Sequence, residues 1–320
     1  IHDITFLLVD QLEVKTFNYY EPFFGGGGFF FHLYNLGVIK SAHINDTVTQ
    51  LVSYYETIKD VGNIKKVYDQ TVLFEEEFNE LNNDEERKQV YKNWCNEFNS
   101  LWLNVENIGI QGKEEIKGQT EPKNNEERIR SASLFLALNK AGFNGMFRLN
   151  NNGKFNIPIG DKTYLNIIDK DLLRSTSKAL KDVEINCGSY EEILPPNKKI
   201  DPKTSFIYLD PPYTPNSKTA SFTDYSKEGF KEEDHIKLAE VFQELVNGGY
   251  KVVLSNNNNP EAVEKYVKGT KKTFAYEVMV SRQIASTVTD KKGVSTRPKV
   301  SELLVSSFNL DELGSTKIDS

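Results

Sequence analysis

Four consecutive glycines, Gly25–Gly28, separate the aromatic run Phe17–Phe23 from a second apolar run, Phe29–Phe31. An uninterrupted glycine tract cannot continue a strand or start a helix at low entropic cost, yet it reaches positive φ freely. The pattern therefore predicts a strand, a tight loop and a helix in succession, the unit on which α/β sheets bind nucleotides. Asp46 stands 25 residues after Glu21, at the end of the next short apolar segment, Ala42–Asp46. That is about the spacing at which an acid meets ribose hydroxyls. A plain flexible turn explains the glycines equally well when they are taken alone. No Gly-Lys-Ser/Thr follows, so a phosphate-gripping loop is not expected.

Further short apolar runs recur at Val183–Cys187, Phe206–Leu209, Tyr250–Leu254, Phe274–Val280 and Leu303–Phe308. Between them, Glu232–Val246 carries Ile236, Leu238, Ala239, Val241, Phe242 and Leu245 at helical spacing. Alternating strands and helices predict a mostly parallel sheet covered on both faces. The stretch Thr57–Asn139 differs. It is rich in Glu, Asn and Lys and reads as helices with breaks near Asn82–Asp84 and Gly112–Lys123, the second expected to be a flexible loop. A helix over Glu126–Lys140 then leads into Gly142, Asn144, Gly145 and the turn-rich Asn150–Gly153. The expected organisation is an α/β core in two parts, residues 1–56 and 166–320, split by a mainly helical domain over residues 57–165. Ser315–Ser320 is expected to fray.

Composition limits the chemistry. With 38% hydrophobic and 27% charged residues, the chain is expected to be a soluble, globular, cytoplasmic protein. No apolar run approaches the roughly 18 residues of a membrane span. Cys95 and Cys187 are the only cysteines, and the four histidines form no i, i+4 pair, so neither a disulfide framework nor a metal site is expected. The net charge of −7 disfavours nucleic acid, but the charge is uneven. Glu56–Glu127 holds 9 basic and 17 acidic residues, net −8, whereas Lys140–Lys181 holds 8 basic and 3 acidic, net +5. A local basic stretch can contact phosphates; solvated helix faces would read the same way.

The second informative motif is Asp210-Pro211-Pro212-Tyr213, directly after the Phe206–Leu209 run. The lone pair of an aromatic amino group is delocalised into its ring. The Asp210 carboxylate and the Pro211 carbonyl could accept both N–H bonds, drawing the nitrogen towards tetrahedral geometry and aiming its lone pair at an electrophilic methyl. Prolines stiffen such a loop and preorganise its acceptors. Tyr213 could stack on a base taken out of its helix. An ordinary Pro-rich turn with a packed tyrosine is the competing reading.

With the glycine motif upstream, the order of these motifs resembles the DNA adenine N6-methyltransferases of the Dam type. The resemblance covers about Tyr19 to Phe308. It is carried further by Tyr20-Glu21-Pro22-Phe23, Phe143-Asn144-Gly145-Met146-Phe147-Arg148, Gly153–Gly160, and Lys218–Phe222 with Tyr225. It implies a Rossmann-like, S-adenosylmethionine-dependent methyltransferase sheet of seven strands, with an inserted helical DNA-recognition domain. It also implies residue roles: Glu21, Pro22, Phe23 and Gly25 in the cofactor loop, Asp46 on the cofactor ribose, and Asp210–Tyr213 in catalysis with Asp210 also near the cofactor. Ser189 and Tyr190 fall where relatives approach the cofactor adenine, although many carry an acid there. Asn144, Arg148 and Pro158 match positions that face the recognition sequence in GATC-modifying members. Arg148 suits guanine, whose O6 and N7 accept a guanidinium fork; a turn cap at Asn144 and a phosphate or carboxylate contact at Arg148 are the plainer readings. Ser255-Asn256 and Arg282–Ser286 also match family positions.

The implied reaction is adenine N6 methylation in double-stranded DNA, with no metal, no covalent intermediate and no need for more than a monomer. Roles in restriction-modification or DNA replication would suit it. Methylation of RNA or a protein amide and a non-catalytic DNA-binding relic are the alternatives. A dinucleotide-dependent oxidoreductase fits less well, because its glycines are not contiguous. One departure stands out: family members carry a Lys-Trp-x-Gly-Gly-Lys-like segment near their N-terminus. Here the chain opens on Ile1, at about the distance from Glu21 where that segment would end. The expectation is a chain trimmed upstream, or one that has lost part of its cofactor site and binds cofactor weakly.

Overall fold

The computed structural model describes residues 14–108, 113–195, 197–214, 230–281, 288–289, 295–296, 299–310 and 316–318. The Lys218–Phe222 stretch, Tyr225 and Arg282–Ser286 lie outside them. The chain divides into two compact units: one over Val48–Lys181, and one formed by the residues before and after it. The inserted unit is thus wider at both ends than the expected 57–165.

The first unit is built on β1 (Phe17–Glu21), α1 (Gly28–Asn35) and β2 (Ile39–Asp46). After the inserted unit come β5 (Glu184–Cys187) and β6 (Ser205–Leu209), then α7 (Glu232–Asn247) and β7 (Lys251–Asn257). The short α8 (Pro260–Val263) follows, then β8 (Phe274–Ser281), a two-residue pair β9 (Val288–Thr289) and β10 (Ser295–Thr296), β11 (Lys299–Ser306) and β12 (Thr316–Ile318). The sheet order is β12-β8-β11-β7-β6-β1-β2-β5. From β7 to β5 all pairings are parallel; β11, β8 and β12 add antiparallel. This is the expected α/β methyltransferase-like sheet with one strand more than seven. The extra strand is β12, which pairs with β8 and corrects the frayed-tail expectation for Thr316–Ile318. Its polar sequence carries no periodic signal; the exposed edge of β8 supplies the partner.

Both faces of the sheet are covered. On one, Tyr19 and Phe206 are fully buried and pack with Phe29 of α1, ring centroids about 6 Å apart. On the other, Tyr20, Ile207, Leu209, Val252 and Leu254 form a core with Leu238, Phe242 and Leu245 of α7. The alternation along β1 and β6 thus sends neighbouring residues to opposite cores. Strand β1 lies between β2, which follows it, and β6, which is reached from β5 on the far side, so the strand order reverses beside β1. That creates the crevice at the carboxyl ends of parallel strands where α/β sheets bind ligands.

Buried beside this core, His235 of α7 pairs Nδ1 with the Tyr266 hydroxyl at 2.7 Å. Burial, aided by nearby Lys265, lowers its pKa to about 4 from 6.5. Between those values the unfolded chain takes up a proton that the folded chain refuses. The stability this group contributes is therefore complete above pH 6.5 and is lost as the pH falls towards 4, by about 3 kcal/mol. Urea melts at pH 7.5 and 4.5 check this: His235→Gln flattens the pH dependence relative to the parent, and an unchanged slope would rule it out.

The Val48–Lys181 unit contains α2 (Thr49–Lys59), α3 (Val61–Asn79), α4 (Asp84–Trp102), α5 (Asn125–Ala141) and α6 (Lys170–Leu180). Asp60, Asn83, Asn124 and Asp169 cap four of these helices by accepting first-turn backbone N–H groups. Helix α5 is buried on most of its circumference and packs against α2, α3 and α4. Its small residues allow the close approach, and its polar ones are satisfied: Ser131 accepts the Trp102 indole N–H at 2.9 Å, and Ser133 donates to the Ile129 carbonyl at 2.9 Å. Phe74, Phe78, Trp94, Phe98 and Leu138 fill the core. The expected flexible loop over Gly112–Lys123 needs correcting. Lys113–Gln119 is strand β4, antiparallel to β3 (Leu103–Ile108). Its polar residues give no strand signal; backbone pairing with β3 does the work.

Candidate active site

Strand β1 ends at Glu21, and the chain turns at once into the glycine loop. Gly25 and Gly27 take positive φ, +48° and +64°. A Cβ on Gly27 would stand 2.4 Å from the Phe24 ring, so glycine is required there sterically as well as conformationally. The Phe24 N–H donates to the Asn45 carbonyl and the Gly25 N–H to Asp46 Oδ2, both at 2.9 Å. Gly25, Gly26 and Gly28 have open space where side chains would project. The loop is thus latched to the end of β2 while its outer backbone stays approachable.

Asn45, which sequence reasoning passed over, ties the strand ends together. Its Nδ2 donates to the Pro22 and Gly188 carbonyls, each at 3.0 Å, joining the residues beyond β1 and β5. Its Oδ1 is buried without a hydrogen-bond partner. Glu21 is buried and accepts the Tyr19 hydroxyl at 2.9 Å. Burial, with Asp210 and Asp46 nearby, raises its pKa well above the carboxylate range despite the Tyr19 bond. Glu21, Asp46 and Asp210 thus bring three carboxyl groups to the ends of three neighbouring strands.

Beyond β5, Ser189 caps the short turn Tyr190–Ile193, its hydroxyl accepting from the Glu191 N–H at 3.4 Å. Tyr190 lies against Phe23, centroids 5.2 Å apart, and Phe230 completes the aromatic wall at 5.8 Å from Phe23. The Tyr190 hydroxyl is buried without a partner.

Asp210 follows β6 directly. Its Oδ1 accepts the Ser255 hydroxyl at 2.5 Å. Burial raises its pKa, while hydrogen bonding from Ser255 and Tyr213 acts in the opposite sense. The rear of the loop is clamped at Thr214, which the sequence alone did not mark. Thr214 N–H donates to Asn256 Oδ1 at 2.9 Å, and Asn257 and Asn259 donate to the Thr214 carbonyl, at 2.5 and 3.3 Å. The run of asparagines that ends β7 and continues past it, Asn256–Asn259, was the available signal. The Tyr213 hydroxyl is also within reach of Glu302 of β11, at 3.4 Å, so its one proton is shared between that carboxylate and Asp210. With one Asp210 oxygen held by Ser255, its remaining acceptor capacity suits a planar N–H donor.

The inserted unit gathers Asn144, Arg148 and Pro158 on one hairpin-like loop. Phe143 N–H donates to the Pro158 carbonyl at 2.9 Å, and isolated bridges join Gly142 to Ile159 and Leu149 to Phe155. Asn144 is exposed with φ of +54°. Arg148 Nε donates to Asn156 Oδ1 at 3.1 Å, which fixes the guanidinium and leaves its terminal nitrogens for other acceptors. Phe147 and Phe155 anchor the loop in the unit's core.

Comparison with known proteins accords with this arrangement. The family model for D12 class N6 adenine-specific DNA methyltransferases matches residues 4–284. The type II methyltransferase M.MjaIII of Methanocaldococcus jannaschii is 30% identical over 299 residues, 92% of this chain and 91% of that protein. The type II methyltransferase M1.LlaDCHI of Lactococcus lactis subsp. cremoris is 30% identical over 305 residues, 94% and 90% of the two chains. The DNA adenine methylase of Escherichia coli K12 is 33% identical over 201 residues, 63% and 65%. Among the described residues no helix is long and apolar enough to cross a membrane, and no cluster of ligating side chains could hold a metal ion.

Proposed function

Because the chain belongs to the D12 class of N6 adenine-specific DNA methyltransferases, we propose that it takes the methyl group from S-adenosylmethionine and places it on adenine N6 in duplex DNA, within GATC or a related site containing GA. The observation that carries this reading is the Asp210 carboxylate, which lies beyond β6 and is oriented from behind by Ser255. Asp210 ends the strand next to the one that leads into the glycine loop.

The residues present fit that cofactor. The open outer side of the glycine loop admits close approach, and Asp46, already latched to Gly25, retains acceptor capacity for ribose hydroxyls. The Tyr190 hydroxyl and Asn45 Oδ1 are buried polar atoms awaiting partners. Phe23, Tyr190 and Phe230 offer apolar faces for a purine. The carboxylates of Glu21, Asp46 and Asp210 suit a sulfonium cation, whose charge would favour the ionised form of Glu21. S-adenosylmethionine, when bound, supplies an electrophilic methyl on its sulfur.

Asp210 and the Pro211 carbonyl accept the two N–H bonds of the adenine amino group and turn its lone pair outward. Pro211 and Pro212 keep the loop rigid while they do so. Tyr213, steadied by Glu302, stacks on the extruded base, a contact worth about 1–3 kcal/mol. Transfer is direct. Burial pushes the Cys95 thiol up to about 12, which removes it as a nucleophile.

Sequence reading falls to the inserted unit in this proposal. Asn144, Arg148 and Pro158 line the loop that meets the recognition site, and Arg148 forks onto guanine O6 and N7. Arg148→Ala is then expected to cost about 1–3 kcal/mol of discrimination at one guanine while methylation of the altered site persists. Sequencing N6-methyladenine in randomised duplexes reads both the parent site and its relaxation. An unchanged site in the variant would assign Arg148 to phosphate or to the fold.

A further inference from the structure

We infer that Ser255 is a positioning residue for the reaction, the middle member of a directed chain Tyr208–Ser255–Asp210 that fixes which carboxylate oxygen faces the substrate. Strands β6 and β7 run parallel with Leu209 opposite Leu254, so the next residues, Asp210 and Ser255, fall side by side where β6 ends. Tyr208 donates its phenol to Ser255 Oγ at 3.3 Å, and Ser255 donates onward to Asp210 Oδ1 at 2.5 Å. A hydroxyl has one proton to give. Once Tyr208 occupies an acceptor position of Ser255, that proton is directed to Asp210. Burial, with Asp210 adjacent, raises the Tyr208 pKa well above the phenol range, so Tyr208 remains a donor. The Phe29 ring packs edge-on against Tyr208, centroids 4.6 Å apart, and holds it from the glycine-loop side.

The chain has two consequences. With Oδ1 engaged, Asp210 presents Oδ2 and cannot rotate freely about its χ2. A hydrogen bond to the charged form also favours ionised Asp210, in the same sense as Tyr213 and against burial and Glu302. The groups facing it are Glu302 from β11, Glu21 and Tyr19 from β1, and Tyr208 and Tyr213 from its own segment. Only the ionised carboxylate offers all its lone pairs to the amino group.

This rests on the reading of Asp210 as acceptor of the adenine N–H bonds, and the test separates the two. In single-turnover methyl transfer with excess S-adenosylmethionine and duplex DNA, Ser255→Ala is expected to lower the rate about tenfold to a hundredfold. The KM for either substrate should stay within about threefold. The acid limb of its pH–rate profile should move to higher pH, because Asp210 has lost a donor to its charged form. Ser255→Thr, which keeps the hydroxyl, should restore both rate and profile, and Tyr208→Phe should show the same changes at smaller size. Loss of rate with an unmoved acid limb, or failure of Ser255→Thr to rescue a folded protein, would overturn the positioning role. If Ser255→Ala matches the parent while Asp210→Ala is inactive, this inference alone fails. If Asp210→Ala keeps its activity, the reading beneath it fails as well.

Discussion

Asp210→Ala is expected to lower methyl transfer at least ~10³-fold while duplex binding changes by no more than a fewfold. The expectation follows from how little else in the site can do the work of this side chain. Adenine N6 is a weak nucleophile, and rehybridising it needs acceptors placed before the substrate arrives. The Pro211 carbonyl supplies one; the carboxylate supplies the other together with its charge. Neighbouring carboxylates cannot replace it: Glu21 is bonded to Tyr19, and Asp46 to the Gly25 N–H. Truncation also leaves Ser255 without its acceptor, but it does not touch the hairpin-like loop of the inserted unit. Asp210→Asn should lose less, since an amide oxygen still accepts, although Ser255 and the substrate then compete for it. Single-turnover rates set beside gel-shift affinities decide the matter. An Asp210→Ala protein within tenfold of the parent rate would remove Asp210 from the chemistry.

The second large effect is expected at the glycine loop. Gly27→Ala must hold a Cβ at a φ of +64° and drive it into the Phe24 ring, which Phe30 and Phe31 surround. The left-handed conformation alone costs about 1–3 kcal/mol, and Phe24 is buried, so it has little room to yield. The loop should shift off its latch to β2, lowering both the melting temperature and the affinity for S-adenosylmethionine, the latter by at least ~10-fold. Gly26→Ala is the control. Its φ is ordinary and its Cβ meets nothing within 4 Å, so stability should hold. A methyl there would nevertheless stand where a ligand approaches the backbone, and affinity should still fall. Calorimetric titration with thermal melts separates the two variants. If Gly26→Ala binds S-adenosylmethionine as the parent does, the cofactor does not approach the loop at that point.

Much of this site was legible because its signals are local. A glycine tract after an aromatic run fixes a loop whatever surrounds it, and Asp-Pro-Pro after four apolar residues fixes a strand end. Both lie at the same edge of the sheet because β1 and β6 are parallel neighbours. The residues that escaped notice act across long separations. Asn45 reaches Gly188 over 143 residues, and Asn256 reaches Thr214 over 42, with nothing local to show that either side chain is committed. Strand β4 and strand β12 escaped for a related reason: their sequences are polar, and their extended form is owed to a partner strand. Ser189 shows a local role that its motif position does not reveal: its hydroxyl caps the turn after β5. The inserted unit begins before Thr57 because α2 continues its helical core from Thr49, and charge composition shifts only after that point.

Adenine N6 transfer from S-adenosylmethionine is tested most directly by incubating the protein with methyl-labelled cofactor and unmethylated duplex DNA, digesting the product and identifying the labelled nucleoside. Label is expected in N6-methyladenine alone, at one short site containing GA. Label in another base or in the protein would contradict it, as would none at all from a chain that binds both cofactor and duplex.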